Sequence, residues 1–221
     1  MEFILQNVFP WLPDASGYSV LIPFTAFLIF LSKTKDNKLF WLIAVFVISM
    51  VFTEAVSKAT IFLGTKNNLW TQHLFTPLRF GFIAAIYYHS FRRPLFKKSI
   101  LAAVAFMFMV SATDATFGVG ITQMNALAKT VESTLVISIA ILYFYKLAKD
   151  QSITYLDHDP VFLLSCGLLI HRAGSTMSWG LFNDALAESY DAAKICVFII
   201  LVLNILFYLN LVYVLKQASK K

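Results

Sequence analysis

Long apolar stretches make up most of the chain, and short groups of charged or turn-forming residues separate them. The stretch from Leu39 to Val51, for example, contains no charged residue. A helix needs about 20 mostly apolar residues to cross a bilayer, and the pattern meets this length in several places. We predict spans near residues 15–32, 39–63, 69–90, 98–117, 124–146, 160–181 and 192–215.

The pattern predicts an all-α integral membrane protein with a single seven-helix domain over residues 1–221. A transmembrane β-barrel would need alternating segments of about 10 residues, which these continuous stretches do not form. Composition agrees, because 59% of the residues are hydrophobic and 14% are charged, whereas a soluble domain has about 25% charged residues. The loops are too short for a soluble catalytic domain, so any function lies within the bilayer or at its faces.

The positive charges indicate an orientation. Of the 18 Lys and Arg residues, 12 lie in the first, third and fifth connections and in the tail: Lys33, Lys35, Lys38, Arg92, Arg93, Lys97, Lys98, Lys146, Lys149, Lys216, Lys220 and Lys221. Because basic loops stay in the cytoplasm, we expect the N-terminus outside and the C-terminus inside, in a bacterial inner membrane. We interpret these loops as topology signals that contact anionic lipid, not as a nucleic-acid site.

Several charged residues lie inside the predicted spans, where one charge costs about 2.5–3.5 kcal/mol or more. They form helical stripes in the second, third, fifth and sixth spans, mostly toward the outer face. Since lipid does not solvate charge, we expect these stripes to face one another around an outward-opening polar pocket. The candidate ligand-binding residues are Glu54, His73, Arg79, Glu132, His171 and Arg172.

Two interpretations of these charges stay open. In one, buried ion pairs only fix the helix packing: Glu132 with Arg79 or Arg172, and Glu54 with Lys58. In the other, a ligand completes the charge balance, since three acids (Glu54, Asp114, Glu132) face four cations (Lys58, Arg79, Lys129, Arg172). A surplus arginine favours a carboxylate or phosphate partner, which would be an anionic or amphipathic ligand.

Metal and hydrolase motifs are missing. No His-x3-His or His-Glu-x2-His spacing occurs, which argues against a zinc site. No Gly-x-Ser-x-Gly nucleophile elbow occurs either, so we assign no catalytic residue. An intramembrane lipid-modifying enzyme therefore ranks third among the hypotheses.

Two stretches resemble a group of small seven-helix proteins of bacterial inner membranes for which no activity is established. One runs from Asn68 to Phe80, and the other from Glu132 through Tyr143–Tyr145 and Asp159–Phe162 to Gly167–Ile170. The resemblance implies a fold and a cellular location only. Leu74–Leu78 is also similar to part of a microbial rhodopsin motif, but Lys194 begins its span instead of lying in the middle. We therefore expect no retinal and no other cofactor.

These observations favour a receptor-like or sensory membrane protein that signals through partner proteins, because the chain has no output domain of its own. The alternative is a small-molecule or proton-coupled transporter or channel, with Glu54, Glu132 and His171 as relay groups. No inverted repeat is visible, which weakens that alternative. A homo-oligomer is compatible with either function.

The charge pattern predicts that cysteine labelling from outside reaches position 186 and not position 220. In a background that lacks Cys166 and Cys196, we expect an impermeant maleimide to modify Leu186→Cys and to spare Lys220→Cys until the membrane is permeabilised. The reverse pattern would invert every depth assigned above.

Overall fold

The computed structural model describes residues 7–32, 37–65, 68–118, 121, 125–150 and 155–220. Within these ranges the chain is helical and contains no strand. The α-helices are α1 Leu12–Ser19, α2 Leu21–Leu31, α3 Lys38–Phe62, α4 Trp70–Ser90, α5 Pro94–Thr116, α6 Ala126–Asp150, α7 Pro160–Glu188 and α8 Tyr190–Ala218. A short 3-10 helix, Leu156–His158, precedes α7. The basic residues Lys33, Lys35 and Lys221 lie outside the described ranges.

In the described part of the chain, five helical segments are long and apolar enough to cross a membrane: Leu12–Leu31, Lys38–Phe62, Pro94–Thr116, Ala126–Lys149 and Tyr190–Ala218. The first segment joins α1 to α2 through Val20, which keeps helical backbone angles. It starts earlier than the sequence predicted because Pro13 occupies the first turn, where a missing backbone N–H costs nothing. Helices α4 and α7 have 21 and 29 residues and are not among these five segments.

Successive helices from α2 to α8 lie side by side, and α8 returns to contact α1, α2 and α3. This contact closes a ring of helices. Helix α4 also touches α6 and α7, which are not adjacent to it in the chain. Of the polar residues of α4, Thr71, His73 and Thr76 are buried in the bundle.

The interior has an apolar half and a polar half, which α3 shows most simply. Phe40, Val47 and Glu54 are spaced by seven residues, or about two helical turns, so they share one face of α3. Phe40 and Val47 are completely buried, but the Glu54 side chain is 39% exposed. The bundle is therefore filled around the first half of α3 and open around the second half.

The apolar half is also where polar caps join the helix ends. The Asn37 side chain accepts hydrogen bonds from the first turn of α3 and donates to the Ala218 carbonyl at the end of α8, at 2.8 Å. Asp159 caps α7 through the Val161 and Phe162 amides and accepts a hydrogen bond from Tyr143 of α6. These caps satisfy backbone groups that a helix end leaves free.

Helices α7 and α8 are in close contact along their length. A Cβ atom at Gly167 would collide with the Asn210 carboxamide, and one at Gly174 would collide with Leu203. Asn210 in turn donates a hydrogen bond to the Leu163 carbonyl at 3.2 Å. Small residues such as Gly174 allow neighbouring helices of a membrane protein to approach closely.

Replacing Gly167 with alanine should therefore destabilise the fold. The new Cβ would displace Asn210 and break its bond to Leu163, so we expect a loss of about 1–2 kcal/mol in the free energy of unfolding. Gly81→Ala is the matched control, because no atom lies within 4 Å of the added Cβ. Thermal unfolding in detergent measures both variants. Equal midpoints for the two would show that the α7–α8 contact is not tight.

Candidate functional site

Glu132 is the centre of the polar half, and it binds two arginines at once. Its carboxylate accepts Arg79 Nε at 2.9 Å and Arg79 Nη2 at 2.7 Å. It also accepts Arg172 Nη1 at 3.0 Å and Arg172 Nη2 at 2.8 Å. Both guanidinium groups are bidentate, which is the strongest geometry for an arginine–carboxylate pair. We call these three residues the triad.

The triad joins α4, α6 and α7 at the boundary between the two halves. Glu132 is completely buried, and the Arg172 side chain is 8% exposed, whereas the Arg79 side chain is 31% exposed. One turn further into the bundle on α6 lies Val136, which is completely buried and apolar. The sequence predicted that Glu132 pairs with one arginine or the other. The structure shows that it pairs with both.

Lys129 adds a further positive charge next to the triad. It lies three residues before Glu132 on α6, and its Nζ atom is 4.9 Å from the centre of the Trp179 ring on α7. An aromatic face attracts a cation and does not neutralise it. Sequence reasoning missed this contact, because nothing in the spacing links Lys129 to a particular aromatic residue.

A second ion pair lies on α3, where Lys58 Nζ is 3.9 Å from Glu54 Oε1. The same Nζ lies 3.5 Å from the centre of the Tyr18 ring on α1. Gly17 faces the pair, since a Cβ there would be 2.7 Å from Glu54 Oε1. The sequence predicted this ion pair from its spacing. It did not predict that α1 passes over it, because Gly17 and Tyr18 carry no periodic signal.

The charges in this region are unbalanced. Four cations (Lys58, Arg79, Lys129, Arg172) accompany two acids, Glu54 and Glu132. The sequence counted Asp114 of α5 as a third acid of the group. In the structure Asp114 is buried but forms no ion pair with any described residue, so it is not the partner of any of these four cations.

A cavity of about 410 Å³, including its open mouth, lies between α3 and α4. Its lining residues are Ser49, Met50, Thr53, Glu54, Phe75, Leu78, Arg79 and Phe82. Two of the predicted ligand-binding residues, Glu54 and Arg79, thus face one space from opposite helices. Glu132 and Arg172 lie behind Arg79 and do not line the cavity.

The two histidines of the predicted set are not in the cavity. His171 Nε2 is 2.8 Å from Asn204 Oδ1 of α8, and its ring lies 5.0 Å from that of Phe207. The transporter alternative uses His171 and Glu132 as relay groups; in the structure the hydrogen bond of His171 joins α7 to α8. His73 is buried on α4, and it too lies outside the lining of the cavity.

Asn125 supports α4 next to these residues. Pro77 has no backbone N–H to donate to the preceding turn, and Asn125 Nδ2 donates there to the Gln72 carbonyl at 3.1 Å and to Thr76 Oγ1 at 3.0 Å. This contact positions the helix one turn before Arg79. Among the described residues, no group of three His, Cys, Asp or Glu side chains is arranged to hold a metal ion.

Comparison of the chain with protein-family models, with curated proteins and with solved structures finds no match.

The triad predicts an unusual order of stabilities. Glu132→Gln leaves two inward-facing guanidinium groups without their carboxylate, so we expect a loss of about 3–5 kcal/mol in the free energy of unfolding. Replacing all three residues together (Arg79→Met, Glu132→Leu, Arg172→Met) should cost less, since no charge of the triad is left unpaired. Unfolding in detergent compares the two. A triple variant that is less stable than Glu132→Gln would contradict this account.

Proposed function

We propose that this protein is a receptor-like or sensory protein of a bacterial inner membrane, which binds an anionic or amphipathic ligand from outside. In this proposal α4 and α7 also cross the membrane and complete a seven-span bundle. The N-terminus lies outside and the C-terminus in the cytoplasm. Partner proteins carry the signal onward.

The placement of the polar residues supports two further spans. Helices α4 and α7 have the length to cross a bilayer, and their charged residues Arg79 and Arg172 point toward Glu132 inside the bundle. A polar residue that is satisfied inside a bundle does not exclude its helix from a membrane. Arg79 and Arg172 therefore do not count against these two spans.

One observation carries the ligand proposal: Arg79 is only partly used by the protein. Its Nε and Nη2 atoms donate to Glu132, while Nη1 makes no hydrogen bond to any described residue and the side chain lines the cavity. Glu132 already shares its charge with Arg172. An anion in the cavity would complete the coordination of Arg79 and reduce the positive surplus.

The triad also favours a receptor over a proton-coupled transporter. A relay group has to gain and lose a proton during each cycle. The Glu132 carboxylate accepts four hydrogen bonds from two guanidinium groups, which stabilise its ionised form. A signal would leave through the connection after α4 and the start of α5, where Arg92, Arg93 and Lys98 are exposed.

We expect Arg79→Gln to weaken anion binding more than it weakens the fold. With 3-phenylpropionate as an anionic amphipathic probe, loss of one charge-assisted hydrogen bond should reduce affinity by about tenfold or more. Calorimetric titration of the protein in phosphatidylcholine nanodiscs measures the affinity, and thermal unfolding of the same sample measures stability. Arg92→Gln, in the exposed connection, is the control and should bind like the parent.

Two results would count against the proposal. If Arg79→Gln only unfolds the protein, the charges serve packing alone. If proteoliposomes of the parent protein move protons when the probe is added, the transporter alternative is the better one.

A further inference from the structure

We propose that the ligand is a small zwitterion, with an acidic group, a primary amine and an apolar body, held between Arg79 and Glu54. This inference rests on the proposed function and narrows it. Arg79 would be sufficient to bind an anion. The cavity, however, is also lined by Glu54, which carries the opposite charge.

The Glu54 carboxylate is poorly satisfied by the protein. It accepts no hydrogen bond from any described residue, and the nearest cation, Lys58 Nζ, is 3.9 Å away, beyond hydrogen-bond distance. Lys58 Nζ is instead 3.5 Å from the centre of the Tyr18 ring. A carboxylate in the interior of a membrane protein favours a charged donor, and an ammonium group supplies up to three N–H donors.

Arg79 does not supply that donor, although it faces the same cavity. Its guanidinium group is held by Glu132 at 2.7 Å and 2.9 Å, and it forms no ion pair with Glu54. The two opposite charges therefore remain separated, with the cavity between them. A zwitterion satisfies both walls, with its acidic group on Arg79 Nη1 and its amine on Glu54.

The other walls fit an apolar body of limited size. Met50, Phe75, Leu78 and Phe82 line the cavity, and Ser49 and Thr53 add hydroxyl groups. Small-molecule pockets commonly combine apolar walls with a few polar groups that set the orientation of the ligand. The cavity has both kinds of wall and is open at its mouth.

The same chemistry occurs in an apolar amino acid and in an aminophospholipid headgroup. Glu54 lies eight residues before Phe62, the last residue of α3, so it is about 12 Å from that end of the helix. A headgroup would have to leave the membrane interface to reach this depth. A free amino acid entering through the open polar half does not meet that difficulty.

Three probes that share a phenyl body test the inference on the unmodified protein. Phenylalanine carries both charged groups, 3-phenylpropionate lacks the amine, and phenethylamine lacks the carboxylate. In phosphatidylcholine nanodiscs we expect phenylalanine to bind about tenfold or more tightly than either analogue, because each analogue makes no charged contact with one of the two walls. Glu54→Gln should remove the preference for phenylalanine and leave the affinity for 3-phenylpropionate undiminished. Asp191→Asn, which changes an exposed acid at the start of α8, should alter nothing.

The outcomes separate the two proposals. If 3-phenylpropionate binds as tightly as phenylalanine, the zwitterion inference is wrong and the anion-binding function stands. If neither probe binds and phosphatidylethanolamine does not copurify with the protein, both proposals are wrong.

If nanodiscs with phosphatidylethanolamine weaken phenylalanine binding about tenfold by competition, the zwitterion is a lipid headgroup. Unchanged affinity in those nanodiscs supports a free zwitterion. The comparison of probes needs no variant, so a folding defect in Glu54→Gln does not affect it.

Discussion

The four hydrogen bonds of the Glu132 carboxylate organise the interior of this protein. They join three helices that are separated in the chain, α4, α6 and α7. Removing charges from water is costly, and a single arginine leaves a carboxylate with free lone pairs. Two bidentate guanidinium groups satisfy those lone pairs, but they introduce one more positive charge than they neutralise. The same arrangement that makes a buried acid tolerable therefore makes the site cationic.

Stability and the proposed function occupy different halves of the bundle. Completely buried apolar side chains such as Phe40, Val47 and Leu211 fill one half, and helix caps close its ends. Apolar packing of this kind does not provide a binding site for the proposed ligand. On the other side of the triad the same face of α3 exposes Glu54, and the cavity forms there. The rigid half fixes the helices whose other ends form the site, as binding sites generally require.

Hydrophobic length and helical spacing predicted much of this arrangement. Five of the predicted spans correspond to helices with the length and apolarity to cross a membrane, and the stripes on α4, α6 and α7 identified the residues of the triad. Spacing fixes which residues share a face of one helix, but it does not fix how that helix is rotated against its neighbours. For this reason His171 could not be assigned to Asn204, and the approach of Gly17 to Glu54 was not foreseen.

The two arginines are buried to different extents. In the proposed function this difference explains how ligand binding would affect the rest of the bundle. Arg172 is nearly inaccessible, so it serves as the fixed partner of Glu132, whereas Arg79 faces both Glu132 and the cavity. In the proposed function an anion on Arg79 Nη1 shares that guanidinium group with Glu132, which holds Nε and Nη2. A ligand shifts a conformational equilibrium only when it binds one state better than the other. In the proposed function the Arg79–Glu132 contact would supply that difference, because it joins a residue of the cavity wall on α4 to α6.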